Sequence, residues 1–160
     1  VRTATYNSGT TFFSPANSGT VASPITFQNY LNETPTLTRT ATSDETNYVI
    51  DTNARSHLII RGFTGAVGMA FRVNGGDDVI VEKLSVDHGS KICQTGNFGG
   101  IVVEGSSTNV IVRDNFVKGA LYSSTGGGCF APNAGAIKIS HTSFVTIENN
   151  ELYGGHVGLK

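Results

Sequence analysis

Asp87, Lys118 and Tyr153 are the residues of this chain whose types and spacing could do chemistry together. Each falls at the same position of a repeated segment, so on stacked strands a carboxylate, an ammonium and a phenol would form one outward row. His88, Lys91, Tyr122 and Phe130 lie in the segments adjoining that row. Hydrogen-bonding groups beside an aromatic surface suit a hydroxyl-rich ligand such as a carbohydrate. The competing reading is a surface ion pair between Asp87 and Lys118 beside an incidental tyrosine, worth about 0–1 kcal/mol.

Other candidate chemistry is sparser. Asp77 and Asp78 are consecutive, would face opposite ways on a strand, and read better as a turn. His57, His141 and His156 fall at or near turns on different repeats, and no pair has the separation of a metal motif, so no metal site is expected from the residues. Gly126, Gly127 and Gly128 lie between strand-like runs and do not open a helix, which removes the phosphate-loop reading.

These residues must be positioned by a repeat. Four segments superimpose: Leu58-Ile-Ile-Arg-Gly-Phe63, Val79-Ile-Val-Glu-Lys-Leu84, Val110-Ile-Val-Arg-Asp-Asn115 and Val145-Thr-Ile-Glu-Asn-Asn150. Each continues to a further residue, Gly65, Val86, Val117 or Leu152, and each follows a second short run: 48–50, 71–73, 101–103 and 137–139. The alternation has period two, so Leu58, Ile60, Val79, Val81, Val110, Val112, Val145 and Ile147 are expected to point inward and be buried. The irregular spacing fits a coil of two or three strands per turn with variable loops better than a hairpin-linked sandwich. Loops are expected over 89–100 and 119–135.

Stacking the coils brings equivalent residues about 4.8 Å apart in ladders. Asn115 then lies on Asn150 at a bend, where amides can hydrogen-bond along the axis. The fourth position reads Arg61, Glu82, Arg113, Glu148, alternating in sign as neighbouring-rung ion pairs favour. The chain is therefore expected to be all-β, a right-handed parallel β-helix forming one domain over 1–160, with a first rung and N-terminal strands in 1–47 and stacked rungs in 48–160.

The chain has 160 residues and a formal net charge of −1, without the clustered Lys and Arg that phosphate neutralisation requires, so no nucleic-acid partner is expected. No apolar run approaches the roughly 20 residues of a membrane-spanning helix, and no membrane insertion is expected. Cys93 and Cys129 fit one disulfide or two buried thiols. Their place in corresponding loops of adjacent rungs predicts a disulfide in an oxidising compartment.

The opening Val1-Arg-Thr-Ala-Thr-Tyr-Asn7, followed by Ser18-Gly-Thr-Val-Ala-Ser-Pro-Ile-Thr-Phe-Gln-Asn-Tyr30 and Glu33-Thr-Pro35, resembles the opening of bacterial pectate-lyase-like parallel β-helix proteins. Ala4 stands where that superfamily usually has Gly. The resemblance covers nearly the whole chain and specifies fold far better than activity. It implies a secreted or cell-surface protein acting on an extracellular polysaccharide, as a uronate polysaccharide lyase, a glycoside hydrolase or a non-catalytic relative. Superfamily lyases abstract a proton beside a uronate carboxylate with a Lys or Arg base, often with Ca²⁺ held by Asp or Glu, and Ca²⁺ is implied here by resemblance alone. Relatives usually begin with a capping segment, so a truncated segment or ends covered by assembly is expected.

A second class of function competes: a structural or adhesive module of a surface fibre or tailspike. The second position of the repeats reads Ile59, Ile80, Ile111 and Thr146, an outward apolar stripe of the kind that marks contact. It is expected either to be covered by the chain's own N-terminal region or to form an interface with another copy or an adjoining domain.

Overall fold

The computed structural model describes residues 2–9, 11–39, 48–66, 70–87, 99–118, 135–153 and 157–159. The chain opens with β1 (Thr5–Ser8), β2 (Ile25–Gln28) and β3 (Thr36–Arg39). It then repeats a three-strand circuit: β4 (Tyr48–Asp51), β5 (Leu58–Arg61), β6 (Thr64–Gly65); β7 (Ala70–Asn74), β8 (Asp77–Glu82), β9 (Ser85–Asp87). The same circuit continues through β10 (Gly99–Glu104), β11 (Thr108–Arg113), β12 (Phe116–Lys118), then β13 (Gly135–Ile139), β14 (Ser143–Glu148), β15 (Glu151–Tyr153), with β16 (Val157–Leu159) last.

These strands form three sheets whose named pairings are all parallel: β1-β3-β6-β9-β12-β15, β4-β7-β10-β13-β16 and β2-β5-β8-β11-β14. The chain visits them in fixed rotation, adding one strand to each per circuit. Parallel neighbours demand such a crossover, because a tight hairpin can only reverse direction.

The expected register holds residue for residue. Leu58 pairs with Val79, Val79 with Val110 and Val110 with Val145. Gly65, Val86, Val117 and Leu152 form their own column. The stacked inward residues make one apolar core, in which Leu58, Ile60, Val79, Val81, Val110 and Val112 are fully buried. Each such side chain contributes about 1.5–3 kcal/mol.

Val145 and Ile147 depart from expectation. They are half-buried, packed against the core without being enclosed by it. The cause is their place on β14, which among the described strands of the third sheet has a neighbour on one side only.

Two further readings are corrected. Asp77 and Asp78 open β8 instead of forming a turn. The conflict with strand alternation is resolved in the backbone, where Asp78 takes φ 53° and its column mates His57, Asn109 and Phe144 take 55°, 52° and 54°. A left-handed residue just before each inward run turns the chain into the third sheet, and Asn and Asp tolerate it better than most. The strands β10 and β13 also begin at Gly99 and Gly135, inside the segments expected to be loops. Gly100 belongs to the strand because the core closes on it: a Cβ there would lie 2.6 Å from Val117 Cγ1.

The N-terminal strand is tied to the turn ahead of β3 by Glu33, whose carboxylate accepts from the Thr3 backbone N–H and from Arg2 Nη1, the latter at 3.0 Å. The Thr3 N–H, helped by the Arg2 guanidinium, holds the Glu33 carboxyl below its ordinary value. A depressed carboxyl stabilises the fold above its unfolded pKa and loses that contribution as pH falls through the folded one. Side-chain carboxyl NMR is therefore expected to place the Glu33 midpoint below that of an ordinary glutamate, and Arg2→Ala to move it up. A midpoint at or above the ordinary range would show that this tether does not form.

Candidate functional site

Inward Val86, Val117 and Leu152 force their neighbours on β9, β12 and β15 outward, because adjacent strand residues face opposite sides. The first sheet thus displays two columns. Lys118 stands between Asp87 and Tyr153, and Phe116 between Ser85 and Glu151. The row expected from the repeats is assembled: Lys118 Nζ donates to Asp87 Oδ2 at 3.2 Å. Tyr153 is 62 % exposed and Phe116 40 % exposed.

Phe116 lies outside the row that the repeats predict. The same period-two rule finds it, since it flanks Val117 at a position occupied by Thr64, Ser85 and Glu151 in the other repeats. A phenyl ring placed in a column of polar residues on an outward face is a signal in itself. His88, Lys91, Tyr122 and Phe130, expected beside this face, lie outside the described residues, as do Cys93, Cys129 and His156.

A cleft of about 640 Å³ adjoins the face, between the turn at 29–34 and the bend that joins the third sheet to the first. Thr64 and Ser85 belong both to its lining and to the column that continues into Phe116. Arg61 and Lys83 supply cations to its wall and Glu33 an anion. Arg61 is held in place by Gln28 Oε1 at 2.9 Å and by Glu82 Oε1 at 3.3 Å.

Glu82 itself differs from the exposed ion pairing expected at the fourth position. It is only 4 % exposed, because the Arg61 and Arg113 side chains close over it from the rungs on either side. The hydrogen bond and charge of Glu82 raise the Arg113 pKa further above its ordinary value. Arg61 and Arg113 are thus positioned by one shared carboxylate.

A second ion-paired group, on the face of the second sheet, is structural. Arg72 bonds Asp51, meets Glu104 Oε1 at 3.3 Å and lies 4.2 Å over the Tyr48 ring. Burial pushes the Tyr48 hydroxyl above its ordinary pKa. Each of the three guanidinium nitrogens donates to Asp51 or Glu104.

The fit of Ca²⁺ can be judged from the carboxylates of the first sheet's face. Ca²⁺ takes 6–8 oxygen ligands. Asp87 is occupied by Lys118, Glu151 stands in the other column, and among the described residues no group of three or more His, Cys, Asp or Glu could hold a metal. These residues do not fit the cation.

Comparison with protein-family models, with curated proteins and with solved structures gives no match for this chain.

Proposed function

We propose that this chain is a right-handed parallel β-helix of the pectate-lyase-like kind, secreted or displayed at a cell surface, which binds an extracellular polysaccharide along the face of β9, β12 and β15. The observation that carries the reading is the pairing of two exposed rings, Phe116 and Tyr153, with an ion-paired lysine on one straight-stranded face. Aromatic faces stack on the apolar faces of sugar rings, while Lys118, Asp87, Ser85 and Glu151 offer partners to hydroxyls. Handedness follows from strand chirality, which makes the crossover between parallel strands right-handed in about 98 % of cases.

An acidic polysaccharide fits best, because its carboxylates would find Lys118 on the face and Lys83 and Arg61 in the adjoining cleft. Lyase chemistry on a uronate is the finer form of this reading. Its competitor is the adhesive or fibre module, which one observation favours: the Lys118 ammonium is ion-paired with Asp87 at 3.2 Å and is placed to hold an anion or hydroxyl.

Calorimetric titration with pectate, alginate and chondroitin tests binding, and the absorbance of unsaturated products in the same mixtures tests turnover. Phe116→Ala and Tyr153→Ala are each expected to weaken binding by about 5–30-fold, the loss of one stacked ring at roughly 1–2 kcal/mol. Absence of binding to all three polymers, or equal binding by both variants and the wild type, would overturn the reading. Binding without product selects the adhesive form.

A further inference from the structure

The outward face of the third sheet carries three columns, and their order has a consequence for assembly. In the middle, Ile59, Ile80 and Ile111 floor a groove of about 310 Å³ rimmed by Val21, His57, Asp78 and Asn109. On one side stand His57, Asp78, Asn109 and Phe144, the last 77 % exposed. On the other stand Arg61, Glu82, Arg113 and Glu148. The chain's own segment around Val21 flanks the stripe but leaves the three isoleucines half-buried, so among the described residues the stripe is not closed within one copy.

From β5 to β14 the charged column reads plus, minus, plus, minus. Read from β14 to β5 it is minus, plus, minus, plus. A second copy laid face to face with its rung order reversed sets Arg61 against the exposed Glu148, while Glu82 stays covered by Arg61 and Arg113 of its own chain, whereas one laid with rung order retained does not gain that match. We propose that β5, β8, β11 and β14 of the third sheet form a two-fold interface between two copies of this chain, with the axis parallel to the strands and passing between β8 and β11 and with β2 outside the contact.

In that arrangement Ile80 meets the partner's Ile111 and Ile59 meets the partner's Thr146. Arg61 faces the partner's Glu148, and by symmetry the pair occurs twice, which is the self-complementarity a two-fold contact requires. Asp78 faces the partner's Asn109, and His57 covers the partner's exposed Phe144. The isoleucine stripe supplies affinity, while the two Arg61–Glu148 contacts fix register and exclude the arrangement with rung order retained.

Three strands of six residues and one of four, about 4.8 Å apart, give a face of about 350 Å² per partner, under half the usual share of a stable interface. The dimer is accordingly weak, and sedimentation velocity must run from micromolar to near-millimolar protein.

The wild type is expected to move from monomer to dimer across that range. Glu148→Arg, at an exposed residue, and Arg61→Glu are each expected to remain monomeric, since each homodimer would hold two like-charge contacts. An equimolar mixture of the two variants is expected to dimerise again, because in the mixed pair every introduced charge meets an opposite one. Circular dichroism melts confirm that each variant is folded, and Ile80→Lys is expected to abolish association in every pairing. Should Arg61→Glu fail to fold beside Glu82, Glu148→Arg and Ile80→Lys still decide the matter. A wild type that stays monomeric throughout, leaving the stripe to an adjoining domain or another ligand, overturns the proposal. So does a dimer that Glu148→Arg and Ile80→Lys leave unchanged, or a mixture of folded variants that does not reassociate.

Discussion

Asn115→Ala is expected to lower stability by about 2–6 kcal/mol, because it strands two buried main-chain groups at roughly 1–3 kcal/mol each. Asn115 is buried at the bend between β11 and β12. Its Oδ1 accepts from the Leu84 N–H at 2.9 Å, and its Nδ2 donates to the Val81 carbonyl at 3.1 Å and to Asn150 Oδ1 at 2.8 Å. The side chain therefore satisfies the backbone of the rung beneath and is itself held by the rung above. Neither Leu84 nor Val81 has water within reach to replace it, since both are buried.

Asn150 makes the equivalent bond to the Val112 carbonyl, at 2.8 Å, but is only half-buried. Its Oδ1 also accepts from the Asn115 N–H at 3.0 Å, but water can reach this more open end of the stack, and Asn150→Ala is expected to cost about 1–3 kcal/mol, less than Asn115→Ala. Urea unfolding of the two variants beside the wild type gives the contrast directly. An Asn115→Ala midpoint as close to wild type as that of Asn150→Ala would show that the amide stack carries no such weight.

The second large effect separates enclosed from edge rungs with one residue type in one column. Ile60, Val81, Val112 and Ile147 are stacked in register. Ile60 is fully enclosed, so Ile60→Ala removes apolar surface and leaves a cavity, at a cost of about 2–5 kcal/mol. Ile147 lies on the terminal strand, half-exposed, and Ile147→Ala removes less buried surface and leaves no closed cavity. Its cost is expected to be about half as large or less, in proportion to the area withdrawn from water. Equal losses at the two positions in the same unfolding experiment would contradict the stacking order of the third sheet.

Most of the strand register was legible because its cause is local. A period-two apolar pattern can bury one face only, and four copies of it with matching companions at 65, 86, 117 and 152 leave one alignment that buries them all. The Asn115 and Asn150 stack and the Asp87, Lys118, Tyr153 row followed from that alignment without further information, as did the Arg61, Glu82, Arg113, Glu148 alternation. Part of the candidate site was equally available, yet Phe116 went unnoticed because a phenylalanine beside valines reads as core until the facing of each position is worked through.

What only the tertiary structure decided lies where a residue's environment is made by other rungs. Asp77 and Asp78 looked like a turn because side-chain alternation assumes extended φ throughout, and the left-handed column at His57, Asp78, Asn109 and Phe144 breaks that assumption at one residue per circuit. Glu82 was expected at the surface, but two arginines from neighbouring rungs cover it, and no pattern within its own strand records their reach. Val145 and Ile147 share the sequence pattern of their buried equivalents and differ in having, among the described strands, a neighbour on one side only. Alternation fixes which way a side chain points, whereas burial depends on what the stacked neighbours place over it.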